Sequence, residues 1–152
     1  MNRDRGHLST VKYRTCYEDT DAGGVVYYAN YLRYMERGRN EYLRELGRSI
    51  GQYQRDGILF IVVEVNVKYR LPAVLDDDLV IETWISEGRR SSITFGQRIK
   101  RESEDRVLVE GTVKVACIGT NLKPRRMPEE LRDHCELRNG KGNSGLRIPD
   151  CE

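Results

Sequence analysis

The second half of the chain contains three extended segments joined by connections too short for anything but antiparallel pairing. The segments are DLVIETWISEG, SSITFGQRIKRES and RVLVEGTVKVACIG, and EGRRS and SEDR separate them. Connections of this length are typical of hairpin turns. Parallel neighbours would instead need crossovers of about a dozen or more residues. The pattern therefore predicts an antiparallel meander.

Two further strands and one long helix accompany the meander. The segments STVKYRTCY and VVEVNVKYRL alternate apolar and polar residues, the period of half-buried strands. The segment ANYLRYMERGRNEYLRELG has apolar residues at helical spacing, with Asn30 as the predicted N-cap and Gly47 as the stop. A shorter helix is predicted within SIGQYQRD. The fold class is therefore α+β, with one long helix on a roughly five-stranded antiparallel sheet.

The sheet face opposite the helix is expected to be apolar as well. The alternation assigns five apolar residues to that face: Val80, Trp84, Leu108, Ala116 and Ile118. Soluble proteins avoid leaving an apolar face or an unpaired strand edge in water, and a second copy of the chain is the simplest cover. We therefore expect a homodimer or a homotetramer.

Length and charge limit the classes of protein to which the chain can belong. Its 152 residues suit one domain, predicted over 1–138, with the glycine-rich segment 139–152 as a mobile tail. The 26 basic and 24 acidic residues nearly balance, which argues against a nucleic-acid-binding protein. No apolar run approaches the roughly 18 residues of a membrane helix. The N-terminal MNRDRGHLST lacks the apolar core of a secretory signal.

The cysteines indicate a reducing compartment and no metal site. The four cysteines, Cys16, Cys117, Cys135 and Cys151, include no C-x-x-C pair. A zinc site usually takes paired ligands at short spacing, and the adjacent His134 and Cys135 are poorly spaced for one metal. We therefore expect free thiols, a cytoplasmic protein, and no metal or bound cofactor.

An acidic, glycine-rich loop, YEDTDAGG at residues 17–24, precedes the long helix. A calcium loop starting at Asp19 would need an oxygen ligand where Gly23 stands and a glutamate where Asn30 stands, so that interpretation fails. The D-x-D phosphotransfer motif belongs to parallel α/β sheets, which the meander excludes. Two interpretations remain. The loop is either a plain turn capped by aspartates or a catalytic carboxylate beside a helix N-terminus.

If the loop carries a catalytic carboxylate, the glycines and the start of the helix each have a chemical role. Free N–H groups in the first helical turn attract a developing oxyanion. A carboxylate beside them can attack a carbonyl carbon polarised by those N–H groups, or activate water to do so. Glycines allow a bulky substrate to approach the backbone closely. The chemistry predicted for this loop is therefore acyl transfer.

The same segment resembles a known family. YEDTDAGGVVYYANYLRYMERGRNEYLRELG is similar to the signature of the hotdog-fold acyl-CoA thioesterases, in the YbgC-like and 4-hydroxybenzoyl-CoA thioesterase branch. NLKPRRMPEEL resembles the closing segment of that family, so the resemblance covers roughly residues 8–134. It implies a helix wrapped by an antiparallel sheet and a dimer with active sites at the interface. It also implies hydrolysis of acyl-CoA to a carboxylic acid and CoA without a metal or cofactor.

The resemblance also suggests roles for individual residues. Asp21 falls on the catalytic aspartate, as nucleophile or general base, and the backbone N–H of Tyr28 falls where the thioester carbonyl is held. Gly24 and Val25 lie in the substrate-binding part of the motif. Many YbgC-like members carry histidine at position 28, so this tyrosine leaves Asp21 without a histidine partner and leaves the acyl preference open.

A basic cluster near the end of the last strand is a candidate site for the phosphates of CoA. It consists of Lys123, Arg125 and Arg126, and guanidinium groups bind phosphates well. The rivals for this role are Arg89, Arg90, Lys100 and Arg101. Two alternatives to acyl-CoA hydrolysis remain, namely a thioesterase acting on acyl carrier protein and a non-catalytic acyl-CoA-binding protein. The aspartate argues against a pure binder, which gains nothing from an anion beside a thioester.

Overall fold

A computed structural model describes residues 6–139, with side chains described as far as His134. The elements in chain order are β1 (Ser9–Arg14), α1 (Asn30–Glu45), α2 (Ile50–Arg55), β2 (Leu59–Tyr69), β3 (Asp78–Gly88), β4 (Ser92–Arg101), β5 (Arg106–Ile118) and α3 (Glu129–Asn139). The predicted tail, residues 139–152, lies outside the described residues apart from Asn139. None of the helices in the described range is long and apolar enough to cross a membrane.

The five strands form one antiparallel sheet in the order β1-β3-β4-β5-β2. The hairpins β3–β4 and β4–β5 confirm the predicted meander. The first strand, β1, pairs with β3, and β2 returns to pair with β5. The strands β1 and β2 are therefore the two edges of the sheet within one chain.

Helix α1 packs across β1, β3 and β4, and this confirms the predicted α+β class. Gly38 faces the sheet so closely that a Cβ atom there would lie 2.6 Å from Thr83 Oγ1. Beneath the helix, the fully buried Gln97 donates to the carbonyl oxygen of Met35 at 2.7 Å and to Thr83 Oγ1 at 2.8 Å. This glycine contact and the Gln97 bonds fix the height of the helix over the sheet.

The two ends of α1 match the sequence prediction unequally. Gly47 has φ +113°, a left-handed conformation suited to glycine, and it terminates the helix as predicted. Asn30 is the first helical residue, whereas Ala29 occupies the N-cap position. The prediction of Asn30 as N-cap was therefore wrong. Its side chain instead donates from Nδ2 to the carbonyl oxygen of Asp19 at 2.9 Å.

Of the five residues assigned to the apolar outer face, only Leu108 was placed wrongly, because the other four are not part of the hydrophobic core cluster. A bulge between Ile99 and Lys100 shifts the pairing with β5, and Leu108 lies fully buried in the core. Trp84 does lie on the outer face, over Gly96, with the Arg98 guanidinium 4.9 Å from its ring. Around it are ion pairs, among them Lys100 with Glu82 at 3.1 Å. The outer face therefore combines apolar residues with charged side chains around Trp84.

Tyrosines in the core and packed against it make the stability of the fold sensitive to alkaline pH. Burial, and then a hydrogen bond to Asp19, raises the pKa of Tyr13 to about 12. Burial is also the main cause that raises the pKa of Tyr34 and of Tyr53. The unfolded chain therefore loses these protons first, so the free energy of unfolding should fall as pH rises above about 10. Urea unfolding between about pH 8 and 11 measures this slope, which Tyr53→Phe should reduce. A flat profile would contradict the prediction.

Candidate active site

A closed turn carries the predicted catalytic loop from β1 to α1. After a three-residue 3-10 turn, Tyr17–Asp19, the backbone forms an isolated antiparallel bridge between Thr20 and Val26. Inside it, Asp21 N–H donates to the carbonyl oxygen of Val25 at 2.9 Å. Gly24 has φ +80°, which side chains of L-residues rarely allow. The turn therefore has one defined shape, with Asp21 near its tip.

The carboxylate of Asp21 is exposed, and a hydrogen bond from the backbone orients it. Its Oδ1 accepts a hydrogen bond from Gly23 N–H at 2.8 Å, and a Cβ at Gly23 would lie 3.1 Å from this oxygen. Its Oδ2 has no hydrogen-bond partner among the described residues. The carboxylate thus has a fixed orientation and free lone pairs, which a nucleophile or a general base requires.

The second carboxylate of the loop, Asp19, has the opposite character. It is only 7% exposed, and its Oδ2 accepts hydrogen bonds from Tyr13 Oη and from Cys16 N–H, both at 2.7 Å. These bonds connect the loop to β1. Asp19 therefore acts as an anchor, whereas Asp21 is available to a substrate.

The start of α1 leaves two backbone donors unused. Tyr27 N–H donates to the carbonyl oxygen of Asp19 at 2.8 Å, and Asn30 N–H donates to the carbonyl oxygen of Tyr27 at 2.9 Å. Between them, the N–H groups of Tyr28 and Ala29 donate to no acceptor within the described part of the chain. They are therefore available to an incoming oxygen atom at the positive end of the helix dipole.

The opposite wall of the site comes from edge strand β2 and the segment that follows it. The Tyr28 ring is 60% exposed and makes an edge contact with the Tyr69 ring, centroid to centroid 6.2 Å. Val25 forms an isolated bridge with Val74, and Ala73 N–H donates to Tyr31 Oη at 2.9 Å. The structure thus brings Asp21, Gly24, Val25 and Tyr28 into one loop, beside the C-terminal end of β2.

The segment 72–77 and Tyr69 were not predicted as part of the site. The sequence there, PAVLDD, indicates a turn, but nothing in it indicates which loop it touches. Arg101 secures this segment, because its guanidinium pairs with Asp77 at 3.0 Å and donates to the carbonyl oxygen of Pro72 at 2.9 Å. A contact between two loops so distant in sequence becomes visible only once the sheet order is known.

The predicted basic cluster lies far from Asp21 within one chain. Lys123, Arg125 and Arg126 are exposed, beside the isolated bridge between Ile118 and Pro124. The loop of Asp21 instead lies near the other end of β5, where Arg70 N–H donates to the carbonyl oxygen of Leu108. From position 108 to position 118 an extended strand spans roughly 33 Å. One chain alone does not bring the cluster and the carboxylate together.

The other cations considered for binding the CoA phosphates lie at the same two ends of the sheet. Arg89 and Arg90 lie with the basic cluster, where Met127 N–H donates to the carbonyl oxygen of Arg90 at 2.8 Å. Lys100 and Arg101 lie at the Asp21 end, but both are engaged in ion pairs, with Glu82 and Asp77 respectively. The two rivals at the Asp21 end are therefore already held by carboxylates.

No metal centre is visible in the described residues. There, no three His, Cys, Asp or Glu side chains are arranged to hold an ion. Of the cysteines whose side chains are described, Cys16 is an exposed free thiol and Cys117 a buried one.

Comparisons with known proteins identify the family. The model of the thioesterase superfamily matches residues 23–108. The acyl-CoA thioesterase YbgC of Haemophilus influenzae is 42% identical, over 78% of this chain and 88% of that protein. The putative acyl-CoA thioesterase YneP of Bacillus subtilis is 33% identical, over 84% and 92%. A crystal structure of a probable thioesterase from Bartonella henselae superposes with a TM-score of 0.70 at 34% identity, covering 80% of this chain and 98% of that one.

The matched region includes Gly24, Val25, Tyr28 and all of α1, so the likeness extends over most of the candidate site as well as the fold. The relatives also align over most of their own length, which excludes a chance match to a fragment. The chain therefore belongs to the thioesterase superfamily and is a thioester hydrolase with the hotdog fold.

Proposed function

We propose that the chain hydrolyses acyl-CoA thioesters to a carboxylic acid and CoA, with Asp21 acting on a carbonyl held by the N–H of Tyr28. The observation that carries the proposal is the pairing of two features in one loop. An exposed, oriented carboxylate stands in the turn that leads directly to two unused amide donors. The names of the relatives support acyl-CoA as the substrate class.

The reaction can follow two routes through the same atoms. In one route, a carboxylate oxygen of Asp21 attacks the carbonyl carbon, the C–S bond breaks, and water hydrolyses the resulting anhydride. In the other, the carboxylate takes a proton from water, whose oxygen attacks and displaces the thiolate. Both routes place negative charge on the carbonyl oxygen, which the Tyr28 and Ala29 N–H groups would stabilise.

Tyrosine at position 28 is compatible with either route. A thiol is a far stronger acid than an alcohol, with a pKa of about 8.5 in cysteine, so the sulfur departs as an anion with little help from an acid. The exposed Tyr28 ring would then shape the acyl entrance rather than exchange protons. An exposed free thiol at Cys16 also fits a reducing cytoplasm as the place of action.

We further propose that two copies associate through edge strand β2. Its exposed apolar side chains are 43–51% accessible, and they are Ile61, Val62, Val63, Val65 and Tyr69. An unpaired apolar edge of this kind pairs with another strand unless it is protected. Antiparallel pairing about a two-fold axis would set Tyr69 of one copy near Leu59 of the other. It would thereby bring the basic cluster of one copy to the Asp21 end of its partner.

Removing the basic cluster should weaken CoA binding specifically. We expect the combined substitutions Lys123→Ala, Arg125→Ala and Arg126→Ala to raise KM for acyl-CoA by at least about tenfold, since each phosphate contact involves a charged donor. Acyl-pantetheine thioesters, which lack the nucleotide, should be hydrolysed as by the parent protein. Equal losses on both substrates would point to damaged folding instead.

A mixed dimer tests whether the cluster acts across the interface. One copy carries Asp21→Asn and the other lacks the cluster, and two different affinity tags isolate the hybrid. If the cluster acts on the partner's site, one intact site remains, with roughly half of the parental kcat and the parental KM. If it acts within its own chain, the hybrid has no site with a low KM, and the proposed arrangement is wrong.

The substrate class is tested by a hydrolysis screen with detection of free thiol. Short, long and aromatic acyl-CoAs are compared with the same acyl groups attached to an acyl carrier protein. The proposal expects release of CoA from at least one acyl-CoA at a rate above that of carrier-protein substrates. Faster hydrolysis of the carrier-protein substrates would favour that alternative, and binding without thiol release would favour a non-catalytic protein.

A further inference from the structure

We infer that Asp19 is a positioning residue, which sets the place of the Asp21 carboxylate relative to the N–H of Tyr28. The inference rests on the proposed function, because it matters only if these two groups act on one carbonyl. It concerns the buried carboxylate of Asp19, two residues before the exposed carboxylate of Asp21.

The side chain of Asp19 is fixed from the side of β1. Its Oδ2 receives the hydroxyl of Tyr13 and the N–H of Cys16, both at 2.7 Å. Tyr13 is itself packed against Tyr34 of α1, with ring centroids 4.7 Å apart, and the Arg37 guanidinium lies 4.8 Å from its ring. The carboxylate is therefore attached to a hydroxyl that cannot easily move.

The backbone of Asp19 is fixed from the side of α1. Its carbonyl oxygen accepts Tyr27 N–H at 2.8 Å and Asn30 Nδ2 at 2.9 Å. The residues that enclose the catalytic turn, Asp19 before it and Tyr27 after it, are thus joined directly. Because Tyr27 N–H is consumed here, the next free donor along the chain is that of Tyr28.

These contacts leave the turn little freedom. Asp21 lies two residues after Asp19, and Tyr28 lies one residue after Tyr27, so both reacting groups are close along the chain to the same pair of bonds. Misplacing a reacting group by about 1 Å can cost on the order of 10²-fold in rate. Asp19 thus controls a distance on which the chemistry depends, without touching the substrate.

The burial of the Asp19 carboxylate without a cationic partner supports a role beyond holding a turn. Asp19 is buried, yet within the described residues no lysine or arginine lies within ion-pair distance of it. Burying a carboxylate on neutral donors is costly compared with leaving a turn residue in water. Such a cost is often found where a functional site requires a defined geometry.

The test compares kcat and KM for Asp19→Ala, Asn30→Ala and the double variant on the best acyl-CoA from the screen. We expect Asp19→Ala to lower kcat by on the order of 10²-fold, with KM changed by less than about threefold. Asn30→Ala should lower kcat less. The double variant should lose little more than Asp19→Ala alone, because Asp19→Ala frees residue 19 from β1 and Asn30→Ala frees the same residue from α1.

Two further variants separate positioning from general stability. Asp19→Asn keeps an oxygen that can accept both hydrogen bonds and should restore most of the lost kcat. Tyr53→Phe removes a similar hydrogen bond, 2.6 Å from Tyr53 Oη to Glu130 Oε1, at a site distant from the loop. It should lower the melting temperature comparably while leaving kcat unchanged.

Parallel measurement of Asp21→Asn distinguishes failure of this inference from failure of the proposed function. If Asp21→Asn is inactive while Asp19→Ala keeps the parental kcat, the inference is overturned and the proposed function stands. If Asp21→Asn keeps the parental kcat, both are overturned. Should Asp19→Ala fail to fold, Asn30→Ala and Tyr13→Phe decide, and parental kcat in both overturns the inference.

Discussion

Asp21→Asn is expected to lower kcat for thioester hydrolysis by about 10²- to 10⁴-fold while leaving the protein folded. The amide oxygen of asparagine can still accept the hydrogen bond from Gly23 N–H, which is 2.8 Å from Asp21 Oδ1. The shape of the turn is therefore preserved. What is lost is the negative charge, and with it the ability to attack a carbonyl or to take a proton from water.

The measurement is release of free thiol under saturating acyl-CoA, together with the melting temperature. Glu18→Gln is the matched control, because Glu18 is an exposed acid in the same loop, three residues before Asp21. It should keep the parental kcat. An Asp21→Asn protein that hydrolyses its best substrate at nearly the parental rate would show that Asp21 is only a turn residue.

Local patterns predicted the fold well where the structure depends on neighbours in sequence. The meander followed from alternation and from turns of a few residues, and α1 followed from helical spacing and Gly47. The assignment of Leu108 to the outer face was wrong because a bulge opposite Lys100 shifts the alternation of inward- and outward-facing residues. A bulge depends on the pairing of two strands, which neither strand shows alone.

The third helix, α3, was missed because its apolar signal is weak. The stretch EELRDHCELRN is mostly charged, and Leu131 is its one fully buried residue among the side chains described. Such a helix is stabilised mainly by its tertiary contacts rather than by its intrinsic propensity. Here Glu130 accepts the hydroxyl of Tyr53, a residue more than seventy positions earlier in the chain.

The candidate site, like the fold, could be predicted from the sequence only in part. Two acids at positions 19 and 21 are visible in the sequence, but which of them is buried depends on Tyr13 of β1. The basic cluster is visible too, yet its separation from Asp21 depends on the order of the strands. Residue types and their local spacing thus identify candidate site residues, whereas the role of each residue depends on contacts between elements.

Among substitutions that weaken dimer formation, we expect the largest effect at the middle of β2. Val63 and Val65 are 51% and 44% exposed, on either side of the strand's midpoint at residue 64. In an antiparallel two-fold pairing across β2, residues near the midpoint of one copy meet the same residues of the other. Val65→Lys would therefore bring two like charges together. A cost of several kcal/mol corresponds to association weakened by roughly 10³-fold.

The parent protein should sediment as a dimer or larger at micromolar concentration, and Val65→Lys as a monomer. Leu8→Lys, at an exposed residue just before the opposite edge strand β1, should leave the dimer intact. Hydrolysis of acyl-CoA by Val65→Lys should fall along with the dimer, although Asp21 and its turn are untouched, because the phosphate-binding cations would come from the partner. A monomeric parent protein with full activity would exclude the interface and the shared site together. Retained activity in monomeric Val65→Lys would exclude the shared site alone.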